Sequence, residues 1–114
     1  MSRYLNGLAA EDAVERWYLE RGAAPIAKRM RNDGGEIDLI VAEGDVLVFV
    51  EVKIRKSIDA AAHAISPRQW ARITTAAEVF LAETERSLDT DLRFDAALLD
   101  RHGHIEIIEN AAPF

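Results

Sequence analysis

Cysteine is absent from the 114 residues, which excludes disulfides, thiolate metal sites and cysteine nucleophiles and suits a reducing compartment. Histidine occurs three times, as His63, His102 and His104. No apolar run approaches the ~20 residues that span a bilayer, and no leader is legible at the N-terminus. A cytoplasmic protein with no membrane partner is therefore expected. Linkers rich in Pro, Gly or Ser, internal repeats and low-complexity tracts are missing as well, so residues 1–114 are expected to form a single domain with one core. An excess of basic charge is also lacking: 14 Lys and Arg stand against 20 Asp and Glu, a net charge of -6. Taken as a mean, that argues against nucleic acid, because phosphate binding usually appears as surplus Lys and Arg. The distribution changes the reading. Residues 1–77 are neutral overall, and the whole surplus falls in residues 78–114, where Arg86, Arg93 and Arg101 are the only cations.

What is present is a hydrophobic share of 49%, enough for a packed core. Residues 3–21 read as an amphipathic helix, with Tyr4, Leu8, Val14, Trp17, Tyr18 and Leu19 near helical spacing and Gly22 as its stop. A short, edge-like strand is expected over 24–31, then a turn at Asp33-Gly34-Gly35. Two strands, 36–42 and 46–54, form a hairpin about Glu43-Gly44-Asp45. A second helix starts at Ser66-Pro67-Arg68-Gln69, which combines an N-cap Ser, Pro at the first helical position and Gln in the capping-box position. Its buried stripe is Trp70, Ile73, Ala77, Phe80 and Leu81, and it should end near Arg86. Strands over 92–99 and 104–109 flank a turn at His102-Gly103. The order α-β-β-β-α-β-β predicts an α/β fold, a mixed sheet covered by helices.

The strand over 46–54 carries the main chemical signal. Val46, Val48, Val50, Val52 and Ile54 make one β-branched face; Leu47 and Phe49 begin the other, and Glu51, Lys53 and Arg55 finish it. Placing charges in so apolar a strand costs desolvation energy that a surface ion pair avoids. With Glu43-Gly44 as a two-residue loop, Asp38 lies opposite Phe49 and Glu36 opposite Glu51. Any even-length loop keeps the parity, so Glu36, Asp38, Glu51 and Lys53 are expected on one face. Diagonal neighbours such as Asp38 and Glu51 are roughly 7–8 Å apart at their backbones. Two carboxylates at that spacing can converge on one cation, and Mg²⁺ takes oxygen ligands at about 2.0–2.1 Å.

The pattern of Asp38, Glu51 and Lys53 resembles that of the PD-(D/E)XK nuclease superfamily, which includes restriction endonucleases and Holliday-junction resolvases. Gly35-Glu36-Ile37-Asp38-Leu39-Ile40, followed by Val48-Phe49-Val50-Glu51-Val52-Lys53-Ile54-Arg55, is similar to the YraN-type family of small bacterial predicted endonucleases. Gly7 with Ala10-Glu11, Arg93-Phe94-Asp95 and Ile108-Glu109-Asn110-Ala111 extend the resemblance over almost the whole chain. It implies a restriction-endonuclease-like core and a metal-dependent enzyme that hydrolyses phosphodiester bonds of nucleic acid, DNA favoured, with branched or structured DNA as one substrate class. By that analogy Asp38 and Glu51, with the Val52 carbonyl, hold Mg²⁺ or Mn²⁺. Lys53 orients or helps deprotonate the attacking water, and Glu11 supports the metal or its water shell. Two positions depart from the pattern: Ile37 stands where the superfamily has Pro, and Gln69 where the family usually has Lys. A non-catalytic nucleic-acid-binding module that keeps the fold is the alternative function, an interaction domain using the acidic C-terminal third is a third, and a homodimer is left open.

Other polar residues keep two readings each. Glu36 is a metal ligand or a supporting residue, and Gln69 a cap or a phosphate contact. Lys28, Arg29, Arg31, Arg55 and Lys56 contact phosphate or simply solvate the surface. Arg93 and Asp95 form a structural ion pair or belong to the site. His102 and His104 flank a turn with no further ligand type nearby, and Trp17 and Trp70 fall on apolar helix stripes.

Overall fold

A computed structural model describes residues 6–113. The elements run α1 (Gly7–Glu20), β1 (Ala24–Asn32), β2 (Gly35–Glu43), β3 (Val46–Ile54), α2 (Ile58–His63), α3 (Pro67–Glu83), β4 (Asp91–Leu99) and β5 (Ile105–Ile108). The strands form one sheet in the order β1-β2-β3-β4-β5, parallel between β3 and β4 and antiparallel elsewhere. A parallel pair needs a crossover, and α2 with α3 supplies it. The result is the mixed α/β sheet of a restriction-endonuclease-like fold. Its order differs from the expected one by α2. Ser57 caps that helix, accepting from the Ala60 N–H at 3.0 Å, but its six residues are too few to print a periodicity on the sequence.

Two apolar clusters lie on opposite faces of the sheet. Ala10, Val14 and Tyr18 of α1 pack on Leu39, Val41, Val48 and Val50, whereas Trp70, Ile73, Ala77, Phe80 and Leu81 of α3 pack on Ile40, Phe49 and Ala96. Each fully buried Leu, Ile, Val or Phe contributes about 1.5–3 kcal/mol, so both layers matter. Helix α1 starts at Gly7, where Asn6 accepts from the Ala9 N–H at 2.9 Å; Tyr4 lies outside the described residues. Leu8 and Leu19, expected on its buried stripe, are exposed, because the stripe that meets the sheet runs through Ala10, Val14 and Tyr18. Helix α3 ends at Glu83 with Thr84 as its cap, three residues short of Arg86. Strand β1 is a full nine-residue edge.

The β2–β3 hairpin closes on Gly44-Asp45, not Glu43-Gly44, so its register shifts by two from the expected one. Gly44 takes φ 59 at the first loop position, a conformation glycine adopts without Cβ strain. Ile40 pairs with Phe49 and Leu39 with Val50, and there the ladder stops. Strand β2 changes face at this point: Leu39 belongs to the α1 cluster and Ile37 to the α3 cluster, with Asp38 between them. Across on β1, Arg29 sits at φ 48 between the pairs Lys28–Leu39 and Met30–Ile37. The sheet therefore splits between β2 and β3 beyond Leu39.

The turn from β1 to β2 anchors the departing strand on α3. Asn32 donates to the Ala76 carbonyl at 3.0 Å and accepts from the Gly34 N–H at 2.8 Å. A Cβ on Gly34 would stand 2.8 Å from the Ala76 backbone, so this approach requires glycine.

Candidate active site

The split opens a cleft of about 630 Å³ reached from both faces of the sheet. Glu11 enters from α1, Glu36 and Asp38 from β2, and Glu51, Val52 and Lys53 from β3; Arg68, Gln69 and Arg72 line it from α3. The structure thus brings Asp38, Glu51, Lys53 and Glu11 to one depression. Arg55 is elsewhere. It follows the end of β3, its guanidinium donates to the Ile54 carbonyl at 2.8 Å, and it lines a neighbouring groove.

Asp38 is fixed by the broken ladder. Its Oδ2 accepts the Val52 N–H at 2.8 Å, taking the place of a strand carbonyl where β2 has turned away. Extending the hairpin register puts Asp38 directly opposite Glu51 rather than diagonal to it. Glu51 is 6% exposed, and Gln69 Nε2 donates to its Oε2 at 3.1 Å. Burial, and then the neighbouring Asp38 carboxylate, push the Glu51 carboxyl up to about 9, while Lys53 and the Gln69 amide pull the other way.

Gln69 therefore does more than cap. Its N–H bonds Ser66 Oγ at 3.1 Å, forming half of a capping box, but its side chain turns to Glu51 instead of back to the cap. Helix α3 faces the cleft through Arg68, Gln69, Arg72 and Ile73, of which Arg68 and Arg72 were missed from the sequence. The available signal was their spacing: positions 68, 69 and 72 fall on one side of a helix.

Glu11 is half-committed. Its Oε1 lies 3.1 Å from Arg29 Nε, yet that oxygen is buried with no aligned hydrogen-bond donor among the described residues. Burial and then Asp38 raise its pKa. Glu36 is exposed and paired with the Arg31 guanidinium, which places it at the rim. Lys28 is held by Asp12 and Glu15 at 2.8 and 3.2 Å, so of the basic residues considered for phosphate, Lys28, Arg29 and Arg31 all have carboxylate partners.

Arg93 and Asp95 lie outside the cleft. Asp95 is wholly buried and accepts from Tyr18 Oη at 2.7 Å, from Arg93 Nε and Nη2 at 2.9 and 3.0 Å, and from the Asn110 N–H at 3.2 Å. Arg93 also binds Glu43 at 2.8 Å. The histidine turn is organised by Asp100, whose Oδ1 accepts from the His102 and His104 N–H groups at 2.9 and 3.0 Å.

The oxygen donors of the cleft suit a hard divalent cation. Among the described residues no three acidic or histidine side chains converge tightly enough to cage a metal alone. Mg²⁺ is commonly held by one or two carboxylates with water completing the shell. Asp38 keeps its Oδ1 beyond the Val52 bond, Glu51 has the Gln69 amide as donor beside a carboxylate neighbour, and the Glu11 Oε1 lacks an aligned donor among the described residues.

The profile of the Uncharacterised protein family UPF0102 matches residues 10–99. The chain belongs to this family. A UPF0102 protein of Cereibacter sphaeroides is 50% identical over 108 residues, covering 95% of this chain and 92% of its own length. UPF0102 proteins of Roseobacter denitrificans and Ruegeria pomeroyi are each 46% identical over 108 residues, again 95% of this chain, with 84% and 88% of their own lengths covered. The YraN-type resemblance read from the sequence is thus shown, and the UPF0102 match runs from Ala10 within α1 through β1–β3, α2 and α3 to the end of β4. Among the described residues no helix is long and apolar enough to cross a membrane.

Proposed function

We propose that this UPF0102 protein is a divalent-metal-dependent nuclease acting on DNA, branched or structured DNA included, with the β2–β3 cleft as its active site. One observation carries the reading: Asp38 and Glu51 are held together in the cleft, where burial and then the Asp38 carboxylate oppose a charge on Glu51. A packed protein gains nothing from that arrangement, whereas a bound cation relieves it. Asp38, Glu51 and the Val52 carbonyl would hold Mg²⁺ or Mn²⁺. When bound, the metal would supply Lewis-acid charge and acidify a coordinated water.

The chain's own groups do the rest. The Val52 N–H fixes Asp38, and Gln69 orients Glu51. Lys53, on the same face as Glu51, offers a cation to the scissile phosphate and can hold or pass a proton at Nζ. Glu11 brings a carboxylate to the α1 side of the cleft, where it would support the water shell of the metal. Arg68 and Arg72 give positive charge on the opposite wall.

The test is cleavage of linear, nicked, flapped and four-way DNA with Mg²⁺ or Mn²⁺. Asp38→Ala and Glu51→Ala are each expected to abolish divalent-dependent cutting while circular dichroism shows a folded chain. Cutting that survives both substitutions overturns the proposal. Salt-dependent binding without turnover by the wild type supports the non-catalytic module instead.

A further inference from the structure

The cations of this acidic chain sort into two groups. Lys28, Arg29, Arg31 and Arg93 are paired to carboxylates, and Arg21 and Arg86 lie over the rings of Trp17 and Phe80. Lys53, Arg68 and Arg72 line the cleft. Arg55, Lys56 and Arg101 line a second groove of about 550 Å³, together with Ala60 and His102 and with no carboxylate in its wall. Arg16 stands apart on α1. Apart from Arg16, every described Lys or Arg without a carboxylate or ring partner faces one of these two depressions.

The folding that creates the second groove is specific. Arg101 is the one cation of the acidic last third that is neither buried against a carboxylate nor stacked on a ring, and it is far from Arg55 in sequence. The parallel ladder joins them: Ile54 pairs with Leu99, and the Arg55 N–H continues the ladder to the Leu99 carbonyl at 3.0 Å. The nearest sequence acids are turned to other tasks. Asp100 accepts from the His102 and His104 N–H groups, and Asp59 lies beside His63 Nδ1 at 3.8 Å.

The two depressions adjoin along the end of β3, where Lys53 and Ile54 line one and Arg55 and Lys56 the other. Two residues of strand advance roughly 6.6 Å, a length over which one DNA strand carries about two phosphates at 3.4 Å of axis each. Cations that hold no carboxylate partner, at that step from the cleft, suit a continuous polyanion rather than a single small anion.

We infer that the groove of Arg55, Lys56 and Arg101 is a second anion site that grips the phosphodiester backbone of the substrate strand beyond the point of cleavage. This rests on the nuclease reading of the cleft. The groove anchors and the cleft reacts, so the chain gains local affinity for nucleic acid despite its overall acidity.

The test measures binding apart from cutting. Full-length wild type, Lys56→Ala/Arg101→Ala and Arg16→Ala are titrated with fluorescently labelled duplex and single-stranded DNA in EDTA, between about 50 and 200 mM salt. The double variant is expected to bind about tenfold or more weakly, with the slope of log affinity against log salt reduced by about two, because each lost phosphate contact removes about 0.9. Lys56→Arg/Arg101→Lys should restore both, and Arg16→Ala should change neither. These side chains are exposed, and equal thermal melts establish that the variants fold. A double variant with wild-type affinity and slope overturns the groove, even where the wild type cuts DNA. Groove-dependent binding by a wild type that never cuts overturns the nuclease reading and leaves the groove standing.

Discussion

Two buried carboxylates sit on neighbouring strands of the same sheet, and they are treated in opposite ways. Asp95 of β4 is wholly enclosed on the α1 side and receives donors from Tyr18, Arg93 and the Asn110 backbone. Glu51 of β3 lies on the α3 side, receives one neutral amide, and faces another carboxylate. Asp95 is closed off and paired with Arg93, whose own pKa is pushed up by Asp95 and then Glu43, and it holds the Tyr18 phenol high once burial has raised it. Glu51 is left unmatched at the mouth of a cleft. Burial of charge by itself does not mark a site. Burial without matching donors does.

The largest expected effect breaks the closed cluster. Asp95→Ala leaves the Arg93 guanidinium and the Tyr18 hydroxyl without their shared acceptor and should cost about 3–5 kcal/mol in urea unfolding. A loss below about 1 kcal/mol would mean the network is not structural. Gly34→Ala should cost about 1–3 kcal/mol by forcing the β1–β2 turn off the Ala76 backbone. It should also lower any cleavage more than a peripheral substitution of equal stability cost, because β2 carries Asp38.

The open cluster should respond with the opposite sign. Glu51→Gln keeps the volume and supplies a neutral group that needs no proton on folding, so the metal-free protein should gain roughly 1 kcal/mol or more near neutral pH and lose any Mg²⁺ response. The pH dependence follows from the raised carboxyl. Between the ordinary 4.5 and about 9 the folded state holds a proton that the unfolded state has released. Stability from this group is therefore full below about 4.5 and falls as pH rises toward 9. Melts in EDTA should show that fall in the wild type and a flatter profile in Glu51→Gln. Added Mg²⁺ should stabilise the wild type more at higher pH, by about 2.7 kcal/mol at a hundredfold excess over Kd. The smallest effect belongs to the rim: Arg31→Ala should move stability by less than about 0.5 kcal/mol, since its pair with Glu36 is solvent-exposed.

The sheet was largely legible because alternation and turn residues act locally. All five strands lie within one residue of their expected bounds, and the α3 stripe is buried as its spacing implies. Helix α2 was not legible, since one capped turn has no period to detect. The hairpin was right in parity and wrong in register by two, because loop choice between Glu43-Gly44 and Gly44-Asp45 rests on a backbone conformation at Gly44. Glu51 and Lys53 could be placed on one face from the pleat alone, whereas the change of face in β2 at Asp38 interrupts the alternation on which the placement of Glu36 and Asp38 rested. Gln69, Arg68 and Arg72 could not be joined to them, because α3 returns to Glu51 only through the crossover, a tertiary contact with no local signature. Arg55 was misplaced for a related reason: pleat parity holds inside a strand, and β3 ends one residue earlier.

The parallel pairing of β3 with β4 also sets the order in which this molecule can assemble. Strands β1 to β3 are joined by tight turns and require only short loop closures, so the meander that holds Asp38 beside Glu51 can form early. The ladder from Val46–Asp91 to Ile54–Leu99 must wait for α2 and α3 to close a long loop. On a ribosome, residues 91–99 emerge last among the sheet's central strands. Until they do, Arg55 lacks Arg101. The growing chain thus holds Asp38 beside Glu51 before Arg55 is joined to Arg101, an order that pulse-labelled hydrogen exchange should record as protection of β2 before β4.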